Sequence, residues 1–72
     1  MDEKRLEELK AAITAQIERF LKKMDWSKAR FAEELGADKS FVTRLLQGEY
    51  NPTLKTIVQL EAVMGKKILR IP

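Results

Sequence analysis

Residues 30–51 read RFAEELGADKSFVTRLLQGEYN, and the fold turns on how this stretch is divided. Two short amphipathic runs flank Gly36, a residue that can take the left-handed conformation which turns a chain out of a helix. Upstream, Ser27 has the chemistry of an N-cap, and Trp26 and Phe31 stand at the two positions of a hydrophobic staple, so a second helix is expected from Lys28 to Gly36. Downstream, Asp38 is placed to cap a third helix, Lys39 to Leu46, which Gln47-Gly48 stops. Val42, Leu45 and Leu46 are its inward positions. Lys39, Ser40, Thr43 and Arg44 are left on the outside.

The flanks read as two longer helices. From Glu3 to Met24 there is no Gly or Pro, and Leu6, Leu9, Ile13, Ile17, Phe20, Leu21 and Met24 recur mostly in steps of three and four, the spacing of one amphipathic helix. At about 1.5 Å per residue it runs roughly 33 Å, longer than one small core requires, so Leu6 and Leu9 are expected to project beyond the fold. Thr53 caps a fourth helix through TLKTIVQLEAVM, with Leu54, Ile57, Val58, Leu60, Val63 and Met64 near helical spacing and Gly65 as its stop. The remaining KKILRIP favours a strand at Lys67 to Ile71, yet no other segment reads as one. A lone strand must find its hydrogen-bond partners elsewhere.

Composition narrows the chemistry. Seventy-two residues make a single domain, 1–72, of a size where a second copy is a natural source of further stability. With no cysteine and no histidine, thiolate metal sites, disulfides and the commonest general base are all missing, so no enzyme activity, metal or cofactor is expected. No apolar run is long enough for a membrane span and the N-terminus is charged, so a cytoplasmic protein without membrane contact is expected. The net charge of +3 is modest, but residues 51–72 hold four Lys/Arg against one acid, which permits a polyanionic partner.

Ala32, Gly36, Val42 and Leu45 fall at offsets of 0, 4, 10 and 13: a small residue where two helices cross, a turn residue, and two aliphatics in the angle between them. This pattern resembles the helix-turn-helix of the Cro/cI-type phage repressors, the XRE family. The likeness covers Ile13 to Gly65, through SKARFA at Ser27 to Ala32, Leu35-Gly36, VTRLLQG at Val42 to Gly48, and NPTLKT at Asn51 to Thr56. It implies an all-α, four-helix domain with the helix-turn-helix at 28–46. To this the present chain adds a long N-terminal helix and a short C-terminal β-strand that can pair across a dimer.

The resemblance also implies that the third helix enters the DNA major groove. Lys39, Ser40, Thr43 and Arg44 are then the base-contact candidates. Arg44 can bond guanine O6 and N7 with both arms, Lys39 can reach the same acceptors, and Ser40 discriminates little. Lys28 matches a position that contacts phosphate, and Gln47, Tyr50 and Asn51 flank the groove as candidates for the same role. Phe41 has two readings, contact with a thymine methyl or cover for the core. Glu33 and Glu34 are expected in solvent. Many family members dimerise through a fifth helix, whereas here Ile68, Leu69 and Ile71, with Leu6 and Leu9, are the dimerisation candidates; the tail lying over its own core is the alternative. The expected function is sequence-specific binding of double-stranded DNA by a homodimeric transcriptional repressor. An antitoxin that binds a toxin protein and regulates its own operon is the other reading, with the N-terminal extension as the available contact.

Overall fold

The computed structural model describes residues 3–66. Four helices follow one another: α1 (Glu3–Met24), α2 (Lys28–Leu35), α3 (Lys39–Leu46) and α4 (Leu54–Met64). Each starts or stops where the local chemistry requires. Ser27 Oγ accepts the Arg30 N–H at 3.0 Å, Asp38 Oδ1 accepts the Phe41 N–H at 2.8 Å, and Thr53 Oγ1 accepts the Thr56 N–H at 3.2 Å. In each case a side chain meets a backbone donor that the first helical turn leaves unpaired. Among the described residues there is no strand, and the segment 67–71 with Ile68, Leu69 and Ile71 lies outside them.

Three helix ends share one motif. After α1, Trp26 N–H donates to Leu21 O at 3.0 Å and Asp25 N–H to Lys22 O at 3.3 Å; after α2, Ala37 N–H donates to Ala32 O at 2.9 Å and Gly36 N–H to Glu33 O at 3.1 Å. The same pair of bonds closes α3, from Glu49 to Arg44 and from Gly48 to Leu45. The motif needs a left-handed residue at the turn. Gly36 supplies it at φ 73°, and Asp25 supplies it at φ 58°. A Cβ added at Gly36 would meet nothing within 4 Å. The demand for glycine at this turn therefore comes from the backbone angle rather than from a close neighbour of Cβ.

Ile13, Ile17 and Leu21 from α1 meet Phe31 and Ala32 from α2, Val42 and Leu45 from α3, and Ile57, Leu60 and Met64 from α4 in one buried cluster. Phe31, Ile17, Leu60 and Val42 are its fully enclosed side chains. The two staple residues meet through a third, since the Phe20 ring lies 5.2 Å from Trp26 and 6.1 Å from Phe31. α1 joins the cluster only from Ile13 onward; Leu6 and Leu9 are half-buried and stand outside it. The helix thus runs past the core, as its length suggests.

The apolar positions of α4 do not form a single face. Ile57, Leu60 and Met64 are buried, but Leu54 is 76% exposed and Val58 is 62% exposed. So many apolar positions in an 11-residue helix cover a wider arc than the core can take. On the first turn Thr56 is buried beside Ile57, and its Oγ1 lies 3.1 Å from Thr53 Oγ1.

Candidate nucleic-acid interface

The inward side of α3 is settled by Val42 and Leu45, both buried. At 100° per residue, Ser40, Thr43, Arg44 and Gln47 fall together on the opposite side, spaced i, i+3, i+4 and i+7. Ser40, Arg44 and Gln47 are exposed and Thr43 is half-buried. Lys39 is exposed too, at the N-terminal edge of this stripe. Neither Lys39 nor Arg44 forms an ion pair among the described residues. Two cations and three polar side chains therefore project from a helix whose other side is anchored in the core.

The start of α3 is tightly organised. Asp38 Oδ1 also accepts the Ser40 hydroxyl at 2.8 Å, so the carboxylate takes both the Phe41 N–H and this O–H. The Phe41 N–H first, then the Ser40 hydroxyl, with a smaller contribution from the positive charge of Arg44, hold the Asp38 carboxyl below its ordinary value. Ser40 can still accept through its hydroxyl oxygen while its proton is engaged.

Behind α3, Phe41 and Tyr50 stack edge to face with centroids 5.0 Å apart, and both pack against the core cluster. Of the two readings of Phe41, core cover is the one this packing displays. Tyr50 OH makes a long contact of 3.5 Å to Thr56 Oγ1, which ties the loop after α3 to α4. Asn51 is exposed on the same loop, and Lys28 is exposed at the first residue of α2, beside the Ser27 cap. Glu33 and Glu34 are exposed as expected, with Glu34 3.8 Å from Arg30.

One residue with a part in this arrangement escaped the sequence reading. Lys10 Nζ donates to Gly48 O at 3.0 Å and sits 3.0 Å from Glu7 Oε1, with a side chain only 13% exposed. An ammonium group from α1 thus holds the carbonyl just beyond α3, where the helix dipole is negative. The signal lay in the spacing: Lys10 falls four residues after Leu6 and three before Ile13, on the apolar stripe of α1 rather than on its polar side.

A helix-turn-helix family model matches residues 17–71, a span that takes in α2, α3 and α4 whole. The chain belongs to the helix-turn-helix family. Within that family it is a Cro/cI-type, XRE-family protein, and the helix-turn-helix proteins of this type are DNA-binding regulators of transcription. Searches of curated proteins and of solved structures give no match. The matched span includes α2, the turn at Gly36 and α3. Among the described residues no helix is long and apolar enough to cross a membrane, and no group of three His, Cys, Asp or Glu residues is placed to hold a metal ion.

Proposed function

We propose that this helix-turn-helix protein binds double-stranded DNA sequence-specifically by laying α3 in the major groove, and that it does so as a homodimeric repressor. The observation that carries the reading is the outward stripe of α3, with Arg44 unpaired beside Ser40, Thr43 and Gln47 on a helix fixed from behind by Val42 and Leu45. Arg44 and Lys39 read base edges, with Ser40 and Thr43 beside them. Lys28, Gln47, Tyr50 and Asn51 hold the phosphates on either side. Phosphate contacts set the register and base contacts set the preference.

A two-fold dimer would present two copies of α3 about 34 Å apart along one side of the duplex. Supporting a second copy are the exposed Leu54 and Val58, apolar side chains that a monomer leaves in water, and the apolar residues Ile68, Leu69 and Ile71 proposed for the contact. Leu6 and Leu9, outside the core cluster, extend the same proposal to α1. The antitoxin reading draws on that last observation alone, because Leu6 and Leu9 at the start of α1 stand outside the core cluster and offer a surface to a toxin protein.

Selection of bound duplexes from a random pool tests the reading. An enriched sequence with two-fold related halves is expected. A pool that shows no preference at low salt would contradict sequence-specific binding, and a single unrepeated half-site would contradict the dimer.

A further inference from the structure

A groove of about 520 Å³ opens on another part of the molecule, between the C-terminal half of α1 and the C-terminal end of α4. Its apolar wall includes Phe20, Trp26 and Met24, and Arg19, Lys23 and Lys66 stand around it. Among the described residues no carboxylate lines it. Two other grooves among the described residues differ in this respect: one beside Ala11 carries Glu7 and Glu18, and one beside Val58 carries Glu61. Arg19, Lys23 and Lys66 form no ion pair among the described residues. Met24, although on the apolar stripe of α1, remains 45% exposed.

These features are complementary to one kind of molecule. Three like charges around a concave surface repel one another and attract an anion, while the aromatic and thioether wall favours an apolar body. Arg19 offers the planar fork that pairs with a carboxylate through two hydrogen bonds. The volume lies within the range of small-molecule sites. We infer that this groove binds a small amphiphilic carboxylate, with its apolar body against Phe20, Trp26 and Met24 and its anionic end between Arg19, Lys23 and Lys66.

Trp26 is the only tryptophan in the chain and lies in the groove wall, so its emission reports occupancy directly. The probes are 3-phenylpropanoate, its neutral amide, and acetate, each titrated into the full chain. Saturable change with 3-phenylpropanoate is expected, with at least tenfold weaker binding of the amide, which lacks the charge, and of acetate, which lacks the body. Arg19→Gln combined with Lys23→Gln should lower 3-phenylpropanoate affinity at least tenfold and leave amide binding and the thermal midpoint unchanged. Should the double variant unfold, Lys66→Gln tests the same charge requirement at another position. Equal binding of carboxylate and amide would overturn the inference. So would a non-saturating response, or wild-type affinity in a folded variant. The titration contains no DNA, so its failure leaves the DNA-binding proposal untouched.

Discussion

Val42 and Arg44 stand two residues apart on α3 and are subject to different physical constraints. Val42 is wholly buried among side chains from other helices, so its volume and shape are fixed by packing. Arg44 is exposed and forms no ion pair among the described residues, where its charge contributes only slightly to the ionised Asp38, so packing does not require a guanidinium there. The contrast separates two roles along an 8-residue helix: one side holds the helix in place, and the other is available to a partner. Substitutions on the inner side should appear in unfolding experiments, and those on the outer side in binding experiments.

The largest expected effect tests the inner side. Leu45→Ala removes most of a side chain that is 3% exposed, and truncations of this kind cost about 2–5 kcal/mol through lost burial and the cavity left behind. In a domain of this size that is a large part of the total stability. Denaturant unfolding should place its midpoint far below that of the wild type. A loss near zero would mean that α3 is not anchored through this side.

Gly36→Val probes the turn that sets α3 against α2. At φ 73° a β-branched residue is strained, and such strain costs about 1–3 kcal/mol. Because the space at the added Cβ is open, Gly36→Asn, which tolerates the left-handed region, should recover most of the loss. If Asn and Val are equally destabilising in thermal melts, sterics rather than the backbone angle govern the corner.

Smaller again is the attachment of α1 to the end of α3. Lys10→Met keeps an apolar stem but removes the donor to Gly48 O, a loss of about 1 kcal/mol on the usual scale for hydrogen bonds. The Phe41–Tyr50 ring contact, followed by nuclear Overhauser effects, should persist if Lys10 acts only on stability. Its disappearance would show that α1 also positions the loop that carries Tyr50 and Asn51.

The smallest effect is a pH dependence. The Asp38 carboxyl is held below its ordinary value in the folded chain, so its ionised form contributes stability above the ordinary carboxylate range, and that contribution is lost as pH falls through the lowered folded value. Asn at this position still caps the helix but does not titrate. The melting temperature of Asp38→Asn should fall less steeply than that of the wild type between about pH 5 and pH 3. Parallel curves would mean that the Phe41 N–H and Ser40 hydroxyl do not favour the ionised group.

Much of this architecture was legible because its signals are local. The caps Ser27, Asp38 and Thr53 and the turn at Gly36 locate α2, α3 and α4 without knowledge of their packing, each boundary needing only its own few residues, and α1 follows from its apolar spacing. The turn at Asp25 was visible as a break, but its left-handed angle was not, because aspartate occupies that region far less readily than glycine. Leu54 and Val58 show a second limit: periodicity identifies apolar positions, whereas exposure depends on which neighbours the fold supplies. The partner of Lys10 is separated from it by 38 residues, and only the tertiary structure brings the two together. For the candidate interface, the outward stripe could be read from the spacing of Val42 and Leu45. The bond that engages Ser40 with Asp38 appears only in the structure.

The most direct test of the central claim compares Arg44→Ala with Lys28→Ala on two duplexes, the best sequence from the selected pool and a scrambled one of the same length, at one fixed salt concentration. If the outer side of α3 reads bases, Arg44→Ala should lose about 1–3 kcal/mol on the selected duplex and much less on the scrambled one, while Lys28→Ala weakens both alike. Both variants should melt with the wild type. If Arg44→Ala instead weakens binding to the two duplexes equally, or leaves both unchanged, α3 does not read DNA sequence through this residue.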